Sequence, residues 1–135
     1  MGFQLSVAVR NARLNAIETA IGASAMLKIR TGAQPSDCAQ ADAGTVLATM
    51  QLPADWEADA ASGAKALLGT WQDASADAAG TAGHFRIYAS DGTTCGAQGS
   101  ITATGGGGNM TLDNVVLAAA QQVNVTSFGL TDGNA

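Results

Sequence analysis

The chain has 135 residues, a formal net charge of −5, 47% hydrophobic residues and 17 glycines, but only three Phe, two Trp and one Tyr. That length suits one domain able to bury roughly two thirds of its unfolded surface. The acidic balance argues against nucleic-acid binding, which needs clustered Lys and Arg, and no hydrophobic run reaches membrane-span or signal-peptide length.

The charge is unevenly placed. Residues 1–30 carry Arg10, Arg13, Lys28 and Arg30 against Glu18, a net +3, and the remainder carries −8. A basic end on an acidic body suits docking against an oppositely charged protein surface, or is simply a solubilising balance.

The first predicted element is a helix over about 6–21. Val7, Leu14, Ile17 and Ile21 fall in one quadrant of a helical wheel, and Gly22 follows as a terminator. Arg10 lies on the side of that stripe and Arg13 points away. The helix either lays its stripe on a neighbour, with Arg10 reaching a partner, or covers one end of its own sandwich while Arg10 snorkels. Residues 25–31 alternate as a strand, with Leu27 and Ile29 inward and Lys28 and Arg30 outward. Residues 32–44 form a loop carrying Pro35, Asp37, Cys38 and Asp42, and 45–52 return as a strand that Pro53 ends. Residues 54–65 read as a connection holding Trp56, residues 67–72 as a short strand holding Trp71, and residues 73–83 as an exposed small-residue loop.

The clearest strand signal starts at His84. Phe85, Ile87 and Ala89 share one face, and His84, Arg86 and Tyr88 the other. Asp91-Gly92 turns the chain and residues 100–104 return, a hairpin. Four glycines, 105–108, make a hinge or a turn with positive φ, and the strand-like 109–112 that follows argues against a phosphate loop. Asp113-Asn114 turns again. Residues 121–130 form the last strand, in which Val123 and Val125 oppose Phe128 and Leu130 unless a bulge near Ser127 or Gly129 resets the register. The sum, about seven strands behind one helix in a single domain over 1–135, predicts a mainly β, jelly-roll-like antiparallel β-sandwich with one N-terminal α-helix. A short C-terminal tail, 133–135, is expected either to lack order or to lie along a partner.

Chemistry-bearing residues are few. The single histidine, His84, sits in no nucleophile motif, so no catalytic residue is predicted. Asp37 with Asp42, and Asp73 with Asp77, lack calcium-loop spacing, and Cys38 and Cys95 lie in no metal cluster, so neither a metal nor a cofactor is expected. The two cysteines are ordinary thiols or, if the fold brings them together, a disulfide. Trp56 and Trp71 are core fillers or an aromatic platform for a sugar.

The stretches around RNARLNAIET (10–19), GTAGHFRIY (80–88) and TSFGLTDGNA (126–135) resemble a family of small virion proteins of tailed phages and prophages. The resemblance implies a virion structural protein without catalytic residues. It implies a jelly-roll that cements or decorates the outside of an HK97-like shell, partnered by the major capsid protein and by copies of itself as a dimer or trimer. A neck or tail subunit and a glycan-binding module are the alternatives. The residues expected at a capsid or subunit interface are Arg10, Arg13, Leu14, Trp56 and Trp71.

Overall fold

Helix α1 spans Val7–Ile21 in the computed structural model of the chain, which describes residues 2–133. Ser6, in an extended conformation, caps it: its Oγ accepts from the Val9 N–H at 3.3 Å, and at the far end Gly22 (φ 102°) donates to the Glu18 carbonyl. Leu14 is buried, and Ile17 and Ile21 are half-buried against the body. Val7, the first member of the stripe, stays 46% exposed.

Nine strands follow: β1 (Met26–Thr31), β2 (Val46–Gln51), β3 (Ala64–Ala66), β4 (Gln72–Asp73), β5 (Gly80–Tyr88), β6 (Cys95–Ala103), β7 (Met110–Leu112), β8 (Val116–Leu117) and β9 (Val123–Thr131). They form one sheet in the order β2-β1-β5-β6-β7-β9-β3, with β4 also on β9 and β8 on β5. Every pairing is antiparallel except β6 with β7. The sheet curls strongly. β5 and β9 are separated by two strands, about 14 Å in a flat sheet, yet the Phe85 and Phe128 rings meet edge to face with centroids 5.5 Å apart. The result is the expected mainly β, jelly-roll-like sandwich with one N-terminal helix.

Both sheet edges are covered. Along β2, Asp77 N–H donates to the Leu47 carbonyl and Thr49 N–H donates to the Asp73 carboxylate, so the segment that pairs with β9 also meets the opposite edge. Outside β3, residues 57–61 bridge to 64–67. Covered edges remove the template for strand addition by another chain.

The predicted hairpin is β5–β6. Asp91 accepts from the Thr93 and Thr94 N–H groups, Gly92 takes φ 72°, and Phe85 and Ile87 face the core. Its other face corrects the prediction. His84, Arg86 and Tyr88 are buried too, as is Arg30 on β1, because loop 32–44 folds over them. Residues 67–72 are not one continuous strand: Gly69 (φ 78°) interrupts the run, Leu67 N–H and the Trp71 carbonyl bond β9 on either side of it, and β4 begins only at Gln72. The small residues of 73–83 mark close approach as much as exposure. Strand β5 already begins at Gly80, Ala76 and Ala82 are buried, and a Cβ at Gly83 would lie 2.3 Å from the Gly32 carbonyl oxygen. Strand β8 was not anticipated. The four glycines make the tight return that sets β7 parallel to β6, with Gly105 (φ 86°) and Gly107 (φ 82°) in conformations that disfavour side chains. In β9 the register against β7 shifts around Thr126, so Val123 and Phe128 both enter the core, as the bulged alternative requires.

Candidate interaction surface

The densest polar cluster lies under loop 32–44, here termed the strap. Arg86, its side chain 2% exposed, donates to the carbonyls of Asp37 and Gln40, to Gln98 Oε1 and to Asp42 Oδ1, at 2.9–3.1 Å. Arg30 binds the other Asp42 oxygen at 3.0 Å, and the Tyr88 hydroxyl donates to Oδ1 at 2.6 Å. Burial alone would raise the Asp42 carboxyl, but the Tyr88 and Arg86 hydrogen bonds and the Arg30 charge hold it below the ordinary range. His84 Nδ1 donates to the Gly32 carbonyl at 2.8 Å. Arg30 and Arg86 alternate outward on β1 and β5, where the strap rather than water solvates them. Cys38 on the strap lies against Cys95 on β6, Sγ to Sγ 2.7 Å. Burial, and then the neighbouring Cys38 thiol, push Cys95 up to about 12.

A second cluster ties the helix to the body. Glu18 Oε2 accepts from the Trp56 and Glu57 N–H groups at 2.8 and 2.7 Å, and Lys65 reaches Asn15 Oδ1, the Ala58 carbonyl and Glu18 Oε1. Glu57 is fully buried and neither carboxylate oxygen has a hydrogen-bond partner among the described residues. Burial raises its carboxyl to about 7, against the pull of Lys65.

At the start of the helix, Arg10 Nη1 donates to the Asp132 carbonyl at 2.9 Å and Arg13 Nε pairs with the Asp132 carboxylate at 3.2 Å. Arg13, Leu14, Ile17, Thr131 and Asp132 line an open groove of about 300 Å³.

The expected interface residues separate here. Trp56 and Trp71 are 0% and 2% exposed and belong to the interior, so they offer no surface contact, whereas Leu14, 3% exposed, reaches the surface only as part of the groove lining. Trp56 and Trp71 pack at a tilt with centroids 6.0 Å apart, Trp71 meets Phe128 at 5.4 Å, and the indole N–H groups donate to the Gly22 and Leu68 carbonyls. A core short of large residues uses both tryptophans as filler, which removes the aromatic platform for a sugar. Arg10 is half-buried and engaged with its own body. Arg13 alone stands out, its side chain 62% exposed.

The outward helix face was missed. Val9, Arg13, Ala16 and Ala20 share one line at i, i+4, i+7 and i+11, flanked by Ala8 and Ala12, and all are exposed. An ordinary solvated helix face carries several charged or polar side chains; this one carries Arg13, Thr19 and Val9 among four alanines, with Phe3 83% exposed just before it. The signal was in the sequence, as alanines on the side of the wheel opposite Leu14. Among the described residues no group of three His, Cys, Asp or Glu side chains is arranged to hold a metal ion, and no helix is long and apolar enough to cross a membrane.

Comparison with protein-family models, with curated proteins and with solved structures finds no match to this chain.

Proposed function

We propose that the protein is a non-enzymatic structural subunit of a phage virion, a cement or decoration protein on the outside of an HK97-like capsid shell that links neighbouring copies of the major capsid protein. The observation that carries this reading is the outward face of α1: exposed, rich in alanine, and basic at Arg13, whose side chain stays 62% exposed although its Nε pairs with Asp132. Such a face gives up little side-chain entropy on docking, and its one cation suits an acidic partner. Covered sheet edges direct association toward this face and away from strand addition. The sequence resemblance supplies the class of partner, and weak contacts repeated over a lattice gain occupancy through avidity when subunits are linked as dimers or trimers.

Stoichiometry tests it. Quantitative gels of purified particles should show hundreds of copies, the number a shell lattice offers. About six or twelve copies would assign the chain to a neck or tail ring instead, and absence from the particle would refute a virion role.

A further inference from the structure

We propose that Cys38 and Cys95 form a redox clamp, a disulfide that closes when the protein meets an oxidising environment and locks the strap onto the sheet. The two sulfurs lie 2.7 Å apart, far inside ordinary non-bonded contact and a short movement from the ~2.05 Å of a disulfide. This approach is built by the sheet. Arg86 pairs with Gln98 and Ile87 with Ala97, but Tyr88 pairs with Cys95, so Gly96 is an extra residue in the ladder. Without that bulge Gly96 would occupy the strap-facing position; with it, Cys95 does. On the other side, Arg86 grips the carbonyls of Asp37 and Gln40, which flank Cys38 and hold it in place. Both cysteines are partly exposed, so a small oxidant can reach them.

The reaction is thiol–disulfide exchange with a low-molecular-weight or protein disulfide, RSSR. The Cys38 thiolate attacks one sulfur and releases RS⁻, leaving Cys38–S–SR. Cys95 then gives its proton to solvent, attacks the Cys38 sulfur and releases the second RS⁻. Two protein thiols are oxidised to one disulfide, and RSSR is reduced to two RSH. A reducing compartment keeps the pair open and an oxidising one closes it. The raised Cys95 thiol makes closure slow at neutral pH, because little of it is thiolate.

The test is incubation of the folded protein with oxidised glutathione, followed by alkylation, mass spectrometry and thermal melting. The expected product is a chain with no titratable thiol and no covalent link to another chain, about 2 Da lighter than the reduced form. Its Tm should lie about 10 °C higher, the effect of a cross-link between residues 57 apart in sequence. Dithiothreitol should reverse both changes, and Cys38→Ser and Cys95→Ser should each abolish the gain in Tm. Thiols that stay titratable, glutathione adducts that never resolve, or cross-links only between molecules would overturn the disulfide. An internal disulfide with no change in Tm would overturn the clamp.

Discussion

Arg86→Met isolates what the strap contributes. By charge pattern Arg86 belongs on a solvent face, where its loss would cost at most about 1 kcal/mol, as for an exposed ion pair. In the fold its guanidinium is 2% exposed and makes four hydrogen bonds, two of them to strap carbonyls. Hydrogen bonds to a charged group contribute about 1.5–3 kcal/mol each, and removing one partner from a buried pair costs about 3–5 kcal/mol. Asp42, 41% exposed, can rehydrate once Arg86 is gone, as can the strap carbonyls. That recovery leaves a net loss of about 3 kcal/mol, or a Tm lower by roughly 10 °C. Urea unfolding followed by fluorescence of the buried Trp56 and Trp71 reads this directly, and limited proteolysis should cut the variant first within 32–44. A loss below about 1 kcal/mol, with the strap still protected, would refute the reasoning. Ile87→Asp, which places a charge in the core, should destabilise at least as much.

Other outcomes follow from single sites. Glu57 holds its proton to about pH 7 in the fold but only to its ordinary 4.5 when unfolded. The native state therefore binds more protons across that window, and stability should fall by about 3 kcal/mol as pH rises through it and level off above. Glu57→Gln should flatten the profile, and an unchanged slope would place the titration elsewhere. Gly83→Ala drives a Cβ to 2.3 Å from the Gly32 carbonyl oxygen and should cost several kcal/mol. Gly105→Ala, at φ 86° but in open space, should cost only about 1–2 kcal/mol, and equal losses in urea titrations would contradict the packing of β5 on the strap.

Where local chemistry decides, the fold was legible. Gly22 ends the helix, period-two alternation marks β1 and β5, Asp91-Gly92 makes the turn, and of the two readings open for β9 the bulged one holds, bringing Val123 and Phe128 onto one core. What stayed hidden depends on distant parts of the chain. The alternation of Arg30, Arg86 and Tyr88 reads as a wet face unless the strap, with Asp42 and its carbonyls, is known to fold over it. The short β8 has too few residues to carry a period. Among the expected interface residues, Arg13 keeps a surface role. Arg10 and Arg13 are both tied to Asp132, so reversing either charge would disturb the helix end as well as any partner contact. The expectation for the C-terminal tail falls partly on Asn134 and Ala135, outside the described residues.

Ala16→Glu tests the central claim most directly, because Ala16 is exposed at the middle of the outward helix face and Glu is a strong helix former. The variant should melt within a degree or two of the wild type. Added to shells stripped of this protein, it should bind at well under a tenth of wild-type occupancy, since a carboxylate then stands where an acidic partner docks. Wild-type occupancy across the same range of salt would contradict docking through α1.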